Sequence, residues 1–106
     1  MVQPKTLFDP QTMDLGGAPH LLWFVTYRQF VKIAEMEPPV PNAVLADRND
    51  LETFLALRPD LKEWEDPIIV RSDHGFTAAL PHYGFMPVCG IPYWSQNCCF
   101  LFKRPL

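Results

Sequence analysis

Apolar residues fall in short clusters along the chain, and each cluster predicts a short element. The stretch LLWFVTYRQFVKIAEMEPPVP, which begins at Leu21, opens with aromatic and β-branched residues that favour a strand across Leu22–Tyr27. Helical spacing of the apolar positions that follow also fits a helix through residues 29–36. We interpret the stretch as a strand that runs into a short helix. The prolines after residue 37 end this helix and predict a stiff extended connection.

The middle of the chain alternates between strand and helix signals. AVLAD at residues 43–47 predicts a short buried strand, and Asn49 followed by Glu52 resembles a capping box at a helix start. Pro59 interrupts this helix, and we expect it to open a second turn that carries Trp64. The β-branched run PIIVRSD at residues 67–73 then predicts a buried strand.

The last third of the chain predicts a short helix followed by a hairpin. GFTAALPHYGF, at residues 75–85, has room for no more than two helical turns. Met86–Ile91 and Cys98–Lys103 are the predicted hairpin strands, joined by PYWSQN. In the second strand, consecutive residues from Cys98 to Phe102 are all apolar, so both faces of the strand are apolar. This is typical of a strand covered on both faces. Pro87 and Pro92 push the first strand towards an edge.

The first twenty residues predict an extended, proline-rich N-terminal arm. They contain three prolines and the pair Gly16–Gly17, which predicts a turn and leaves little room for regular structure. The arm either folds back on its own domain or is held by a partner. The apolar residues available to anchor it, which are also candidates for partner contact, are Leu7, Phe8, Met13 and Leu15.

Length and composition predict one small domain across residues 21–106. A chain of 106 residues has the usual size of a single domain, and its twelve prolines disfavour long helices and broad central strands. The expected fold class is α+β, with a small mixed sheet, two or three short helices and a C-terminal β-hairpin.

Charge is distributed unevenly around the formal net value of −3. Residues 43–67 carry seven carboxylates against three basic side chains, whereas residues 68–106 carry a net charge of +2. Because the chain has no clustered basic stripe, we do not expect nucleic acid as a partner. We interpret the acidic face as a solvated surface. The alternative is a decoy, in which residues 47–66 occupy the nucleic-acid-binding cleft of a basic partner protein.

Cysteine usage and hydropathy indicate a cytoplasmic, soluble protein. The three cysteines form no CxxC pair, and we recognise no signal peptide. The longest apolar run, Leu21–Val25, is far short of a membrane span, so no membrane association is expected.

Candidate chemistry is sparse, and we predict no catalytic, metal-binding or cofactor-binding residue. His20, His74 and His82 lack partners at metal-ligand spacing, and Cys89 in an apolar strand is more typical of a small buried hydrophobe than of a nucleophile. Tyr93 and Trp94, in the predicted hairpin connection, are candidates for partner contact because large exposed aromatics are enriched at binding hot spots. Folding back onto the core is the competing interpretation.

The order of elements from residue 43 onwards resembles the C-terminal half of the GCN5-related N-acetyltransferase family. A strand, a helix, the strand PIIVRSD, a short helix ending in HYGFMPV and a hairpin ending in CCFLFKRPL carry the resemblance, together with Gly84–Phe85 and Val88. It covers residues 43–106, or 22–106 at most. The resemblance implies an acetyltransferase-like sheet and, in an active member, an acetyl-CoA site.

Departures from the family pattern prevent any functional residue from being carried over. The family's glycine-rich pyrophosphate turn corresponds to ADRNDLETF at residues 46–54, whose carboxylates would repel phosphate. The family's usual tyrosine falls on Leu80, with Tyr83 displaced, and Ser72–Asp73 replaces a frequent asparagine. The resemblance therefore implies a shortened, catalytically silent relative, of a kind that occurs among bacteriophage proteins.

The leading hypothesis is a non-enzymatic interaction or structural module that contacts a protein partner or a second copy of itself through the N-terminal arm and the aromatic hairpin connection. A phage or mobile-element origin would make it a virion component or an inhibitor of a host protein. The alternative from another class is an acyltransferase with a non-standard acetyl-CoA site.

Overall fold

The computed structural model describes residues 2–32, 35–73, 75–81, 83–88 and 93–106. These residues form one α-helix, α1 (Arg48–Leu57), one 3-10 helix (Pro59–Glu63) and ten strands. The strands are β1 (Lys5–Thr6), β2 (Gln11–Leu15), β3 (Ala18–Thr26), β4 (Val31–Lys32), β5 (Val44–Leu45), β6 (Ile68–Ser72), β7 (Gly75–Leu80), β8 (Gly84–Val88), β9 (Tyr93–Trp94) and β10 (Cys99–Pro105). The α+β class with a mixed sheet is confirmed, although the described part holds one α-helix instead of two or three.

Strand β10 lies at the centre of an eight-stranded sheet of order β1-β3-β10-β6-β7-β8. It pairs antiparallel with β3 along its whole length, and parallel with the start of β6 at Cys99 and Phe100. Further along, β10 pairs with β5 instead, so the chain before α1 enters the space where β10 and β6 diverge. Strand β2 flanks β3 on the side away from β10, and β4 pairs with β9 in a separate two-stranded sheet.

Both faces of β10 are buried, as the alternating pattern predicted. Cys99 and Leu101 pack into the core layer under α1, whereas Phe100 and Phe102 pack into a second layer on the opposite face. Trp23 and Val25 of β3 join that second layer. Each strand residue points to the face opposite its neighbour's, so one apolar run supplies both layers.

The predicted N-terminal arm is extended, but it forms part of the sheet. Strand β2 pairs with β3 from Gln11 to Leu15, so the expectation of little regular structure in this segment is wrong. Gly16 and Gly17 form the turn, with φ of +61° and +85°, because a tight two-residue hairpin turn of this hand needs positive φ at both positions. The run from Gln11 to Leu15 contains no proline, so every residue of β2 keeps its backbone N–H and can adopt a regular strand conformation.

Phe8 fastens this segment to its own domain. Its ring stacks on Phe24 at a centroid distance of 5.5 Å and meets Trp64 edge-on at 5.9 Å. The guanidinium of Arg58 lies 4.5 Å from the centre of the same ring and also makes two hydrogen bonds to Asp60. Phe8 is therefore enclosed by aromatic and cationic groups of its own chain.

The cap of α1 lies two residues before the predicted one. The Asp50 N–H donates to Asp47 Oδ1 at 2.9 Å, and the Asp47 N–H donates to Asp50 Oδ2 at 3.1 Å. An aspartate at the third helical position replaces the glutamate of the usual pattern, which explains why the sequence pointed to Asn49 and Glu52. The break at Pro59 is confirmed, since the 3-10 helix begins there.

Two predicted helices are strands where the structure describes them. Val31–Lys32 belongs to β4, and Gly75–Leu80 forms β7, which pairs on one side with β6 and on the other with β8. Alanine favours helices, but Ala78 and Ala79 bury themselves on opposite faces of the sheet, and this tertiary pairing outweighs local propensity.

The predicted C-terminal hairpin is wrong in its pairing. Met86 lies in β8, which pairs with β7, and β8 is separated from β10 by two strands. The edge position that Pro87 predicted for this strand is confirmed. Residues 89–92, which include the end of the predicted first hairpin strand at Ile91, lie outside the described residues.

Candidate functional site

The apolar residues proposed to anchor the N-terminal arm contact the chain's own core. Met13 and Leu15 are buried under α1, while Leu7 and Phe8 are half-buried and pack against the same layer. All four are thus brought together within one domain. None of the four offers a large exposed side chain to a partner.

The aromatic pair near the C-terminus lies in β9. The Trp94 side chain is 3% exposed and stands edge-to-face against Phe76 and Phe100. Its indole N–H has no hydrogen-bond acceptor among the described residues, in keeping with an environment of aromatic rings. For Tyr93 the described part includes the backbone in β9 and leaves out the side chain.

A stiff segment, here called the proline ridge (residues 36–43), crosses the sheet face opposite α1. Pro38, Pro39 and Pro41 restrict its backbone, while Met36 and Val40 pack against the second core layer. From the sequence, these prolines were expected to end a helix and to form a stiff extended connection. Their spacing also builds a rigid surface feature.

Hydrogen bonds hold the proline ridge at its beginning. The Val2 N–H donates to the Glu35 carbonyl at 2.9 Å, and the Glu37 N–H donates to the Val2 carbonyl at 3.1 Å. The Tyr27 hydroxyl donates to the Glu37 carbonyl at 2.7 Å. Burial, together with the Glu37 charge, raises the pKa of Tyr27 above its ordinary value, so this hydroxyl remains a donor.

An apolar pocket of about 290 Å³ opens beside the ridge. Its lining comes from the ridge, β5, β7 and β10: Met36, Pro38, Ala43, Val44, Leu45, Phe76 and Phe102. Val44 at the rim is 52% exposed. The pocket can take an apolar group from solvent, because its lining consists of side chains without charge.

A second concavity, of about 430 Å³, lies on the other side of the ridge. Pro38, Pro39 and Pro41 face the segment that contains Pro4 and Thr6 across it. Pro38 lines both this groove and the apolar pocket, so the two concavities share one stiff wall.

A polar cleft of about 340 Å³ lies at the start of α1. It is lined by residues from the start of α1, from β6 and β7 and from the connection between these strands: Asp47, Arg48, Asn49, Arg71, Ser72, Asp73 and Thr77. The Asp50 amide that could hold a phosphate is already bonded to the Asp47 carboxylate. This arrangement disfavours an anion at the helix N-terminus.

Three of the seven carboxylates of residues 47–66 form ion pairs within the chain. Asp50 pairs with Lys103, Glu52 with Arg48 and Asp60 with Arg58. The Arg58 hydrogen bonds hold the pKa of Asp60 below its usual value. Arg48 and Arg58 belong to the same segment and were already included in its charge count, so only the pairing with Lys103 reduces the net negative charge of this face further.

Other candidate chemistry finds little geometric support in the described residues. No group of three or more histidine, cysteine or acidic side chains is placed to hold a metal ion there. Cys98 and Cys99 are free thiols and buried, and His74, His82 and Cys89 lie outside the described part. Within that part, no helix has the length and apolar character needed to cross a membrane.

Comparison with protein-family models, with curated proteins and with solved structures finds no match to this chain.

Proposed function

We propose that the protein is a non-enzymatic binding module that recognises a protein partner through the apolar pocket beside the proline ridge. The observation that carries the proposal is an uncharged pocket, open to solvent, whose wall is held by hydrogen bonds and by prolines. A virion component and an inhibitor of a host protein are two settings in which such a contact would operate.

The size of the pocket favours one apolar side chain of a partner as its occupant. Sites for small-molecule ligands generally enclose about 300–1,000 Å³, and this pocket is slightly smaller, at about 290 Å³. A single large anchor residue in a fitted pocket is the usual form of a binding hot spot. The stiff ridge also reduces the conformational entropy that would be lost on binding.

Site-specific photo-cross-linking tests this proposal. A photoreactive residue at Val44 would lie at the pocket rim, and the same residue at Leu57, which is also an exposed apolar position, serves as the matched control on α1. We expect a discrete cross-linked partner from position 44 and none from position 57, and the cross-linked partner segment should contain a large apolar residue. Equal cross-linking from both positions, or none from either, contradicts the proposal.

The two rival functions give different results in simple binding experiments. Saturable micromolar binding of acetyl-CoA in calorimetry would favour the acyltransferase alternative. A complex with a basic partner that weakens steeply as salt rises would favour the acidic decoy. Binding at the apolar pocket is expected to depend only weakly on salt, because its lining is uncharged.

A further inference from the structure

Strand β2 lies at an outer edge of the described sheet, and its backbone indicates which groups face outwards. Asp14 lies opposite Pro19, which has no N–H, and the Pro19 carbonyl accepts from the Leu106 N–H on its other side. Asp14 and Pro19 therefore form a pair without mutual hydrogen bonds. The N–H and C=O groups of Asp14, and of Thr12 two residues earlier, consequently point away from β3.

The opposite edge of the sheet is closed to further pairing in a way that β2 is not. Pro87 of β8 lies opposite Thr77, and its backbone faces outwards. Because proline has no N–H, this position offers no hydrogen-bond donor to a further strand. Edge prolines of this kind are a common protection against edge-to-edge association. Strand β2 contains no proline and exposes Thr12 and Asp14.

We propose that β2 pairs antiparallel with β2 of a second copy about a two-fold axis at Met13, which continues the sheet across the dimer. In this register Thr12 lies opposite Asp14 of the second copy, and both are outward-facing residues that exchange backbone hydrogen bonds. The Thr12 hydroxyl of one copy donates to the Asp14 carboxylate of the other. The two-fold axis repeats each of these contacts, so the edge is self-complementary.

The neighbouring registers are less favourable for identifiable reasons. An axis at Thr12 would place Asp14 opposite Pro10, which lacks the N–H needed for pairing. An axis at Asp14 would set the two Asp14 carboxylates directly opposite each other, which is destabilising. The axis at Met13 avoids both problems.

Sedimentation velocity from the micromolar to the millimolar range tests the proposal with two variants of opposite effect. Thr12→Lys places an ammonium opposite Asp14 of the second copy and should lower the dimer Kd by about 2- to 30-fold, since two symmetric cross-strand pairs improve. Thr12→Asp places like charges opposite each other and should raise the Kd by a similar factor. Met86→Lys, at an exposed position on the opposite edge, is the control and should leave the Kd unchanged.

Hydrogen exchange on the unmodified protein gives a second measurement that needs no variant. The amides of Thr12 and Asp14 should gain protection as protein concentration rises, while amides of β8 should not. A wild-type protein that sediments as a monomer throughout, or Thr12→Lys and Thr12→Asp variants that shift the Kd in the same direction, overturns the dimer. Neither outcome affects cross-linking at Val44, so failure of the dimer proposal can be distinguished from failure of the proposed partner site.

Discussion

The Lys103 ammonium lies 2.6 Å from the Asp50 carboxylate, so the central strand β10 is joined to the first turn of α1 by an ion pair. The two side chains are only 18% and 10% exposed. Asp50 also accepts the Asp47 N–H in the helix cap. A single carboxylate therefore both caps the helix and attaches it to the sheet.

Removal of the lysine should destabilise the fold strongly. Lys103→Ala leaves the Asp50 carboxylate buried without its cation, and we expect a loss of about 3 kcal/mol in the free energy of unfolding. Urea denaturation measures this loss. Lys62→Ala, at an exposed position, is the control and should change stability by less than about 0.5 kcal/mol. Equal effects of the two substitutions would contradict the structural role of the pair.

The same pair predicts a dependence of stability on pH. Burial disfavours the charged form of Asp50, but hydrogen bonds from Lys103 and Asp47 and the Lys103 charge outweigh it, and the pKa of Asp50 is lowered. A lowered folded-state pKa gives stability that is present above the unfolded value of about 4 and is lost as pH falls towards the folded one. Denaturation series below about pH 4 should therefore show a smaller acid-induced loss in Asp50→Asn than in the wild type. Parallel curves would argue against this contribution.

The β2–β3 turn should tolerate asparagine and reject a β-branched residue. Gly17→Val forces a β-branched side chain into a φ of +85° and should cost about 1–3 kcal/mol. Gly16→Asn, at the first turn position, should change stability by only a few tenths of a kcal/mol, since Asn-Gly is a favoured sequence for this turn. Thermal unfolding of the two variants checks the difference. A well-tolerated valine would mean that the turn has another conformation.

Truncation of Phe8 tests whether the N-terminal segment contributes to the core of its own domain. Phe8→Ala removes contacts with Phe24, Trp64 and Arg58. Full burial would make the loss about 3–5 kcal/mol, and we expect about 2 kcal/mol because this ring is half-buried. Leu57→Ala, an exposed apolar position, should have little effect. Unchanged stability in Phe8→Ala would indicate that the segment is held elsewhere.

The thiol of Cys99 should resist alkylation in the native protein. Burial raises the pKa of Cys99 to about 12, and the thiolate is the reactive form. Iodoacetamide at mildly alkaline pH should leave Cys99 unmodified until denaturant is added. Peptide mass spectrometry measures the modification at each cysteine. Rapid native labelling of Cys99 would contradict its burial.

The sequence predicted those elements whose signal is local or strictly alternating. The run around Ile68–Val70 and the doubly apolar strand from Cys99 were identified correctly, because a strand buried on both faces is apolar at every position. The break at Pro59 was also correct. The proline ring itself prevents a continuous helix, so no long-range contact is needed to predict it.

Long-range pairing decided the elements that the sequence missed. The stretch around Ala78 forms a strand because β6 and β8 flank it, and nothing local indicates those partners. The apolar pocket likewise combines Met36, Phe76 and Phe102 from distant parts of the chain. The prolines after residue 37 were the available signal, but their spacing alone does not reveal what the ridge lies against.

The central position of β10 determines when the domain can form during synthesis. A nascent chain that has not yet released residues 99–105 from the ribosome leaves β3 and β6 without the strand that joins them. The hairpin of β2 and β3 can form early, yet its inner edge stays open until then. Because most native contacts of this strand link residues far apart in sequence, folding should be slow for a domain of this size and should be completed only after residues 99–105 have left the ribosome.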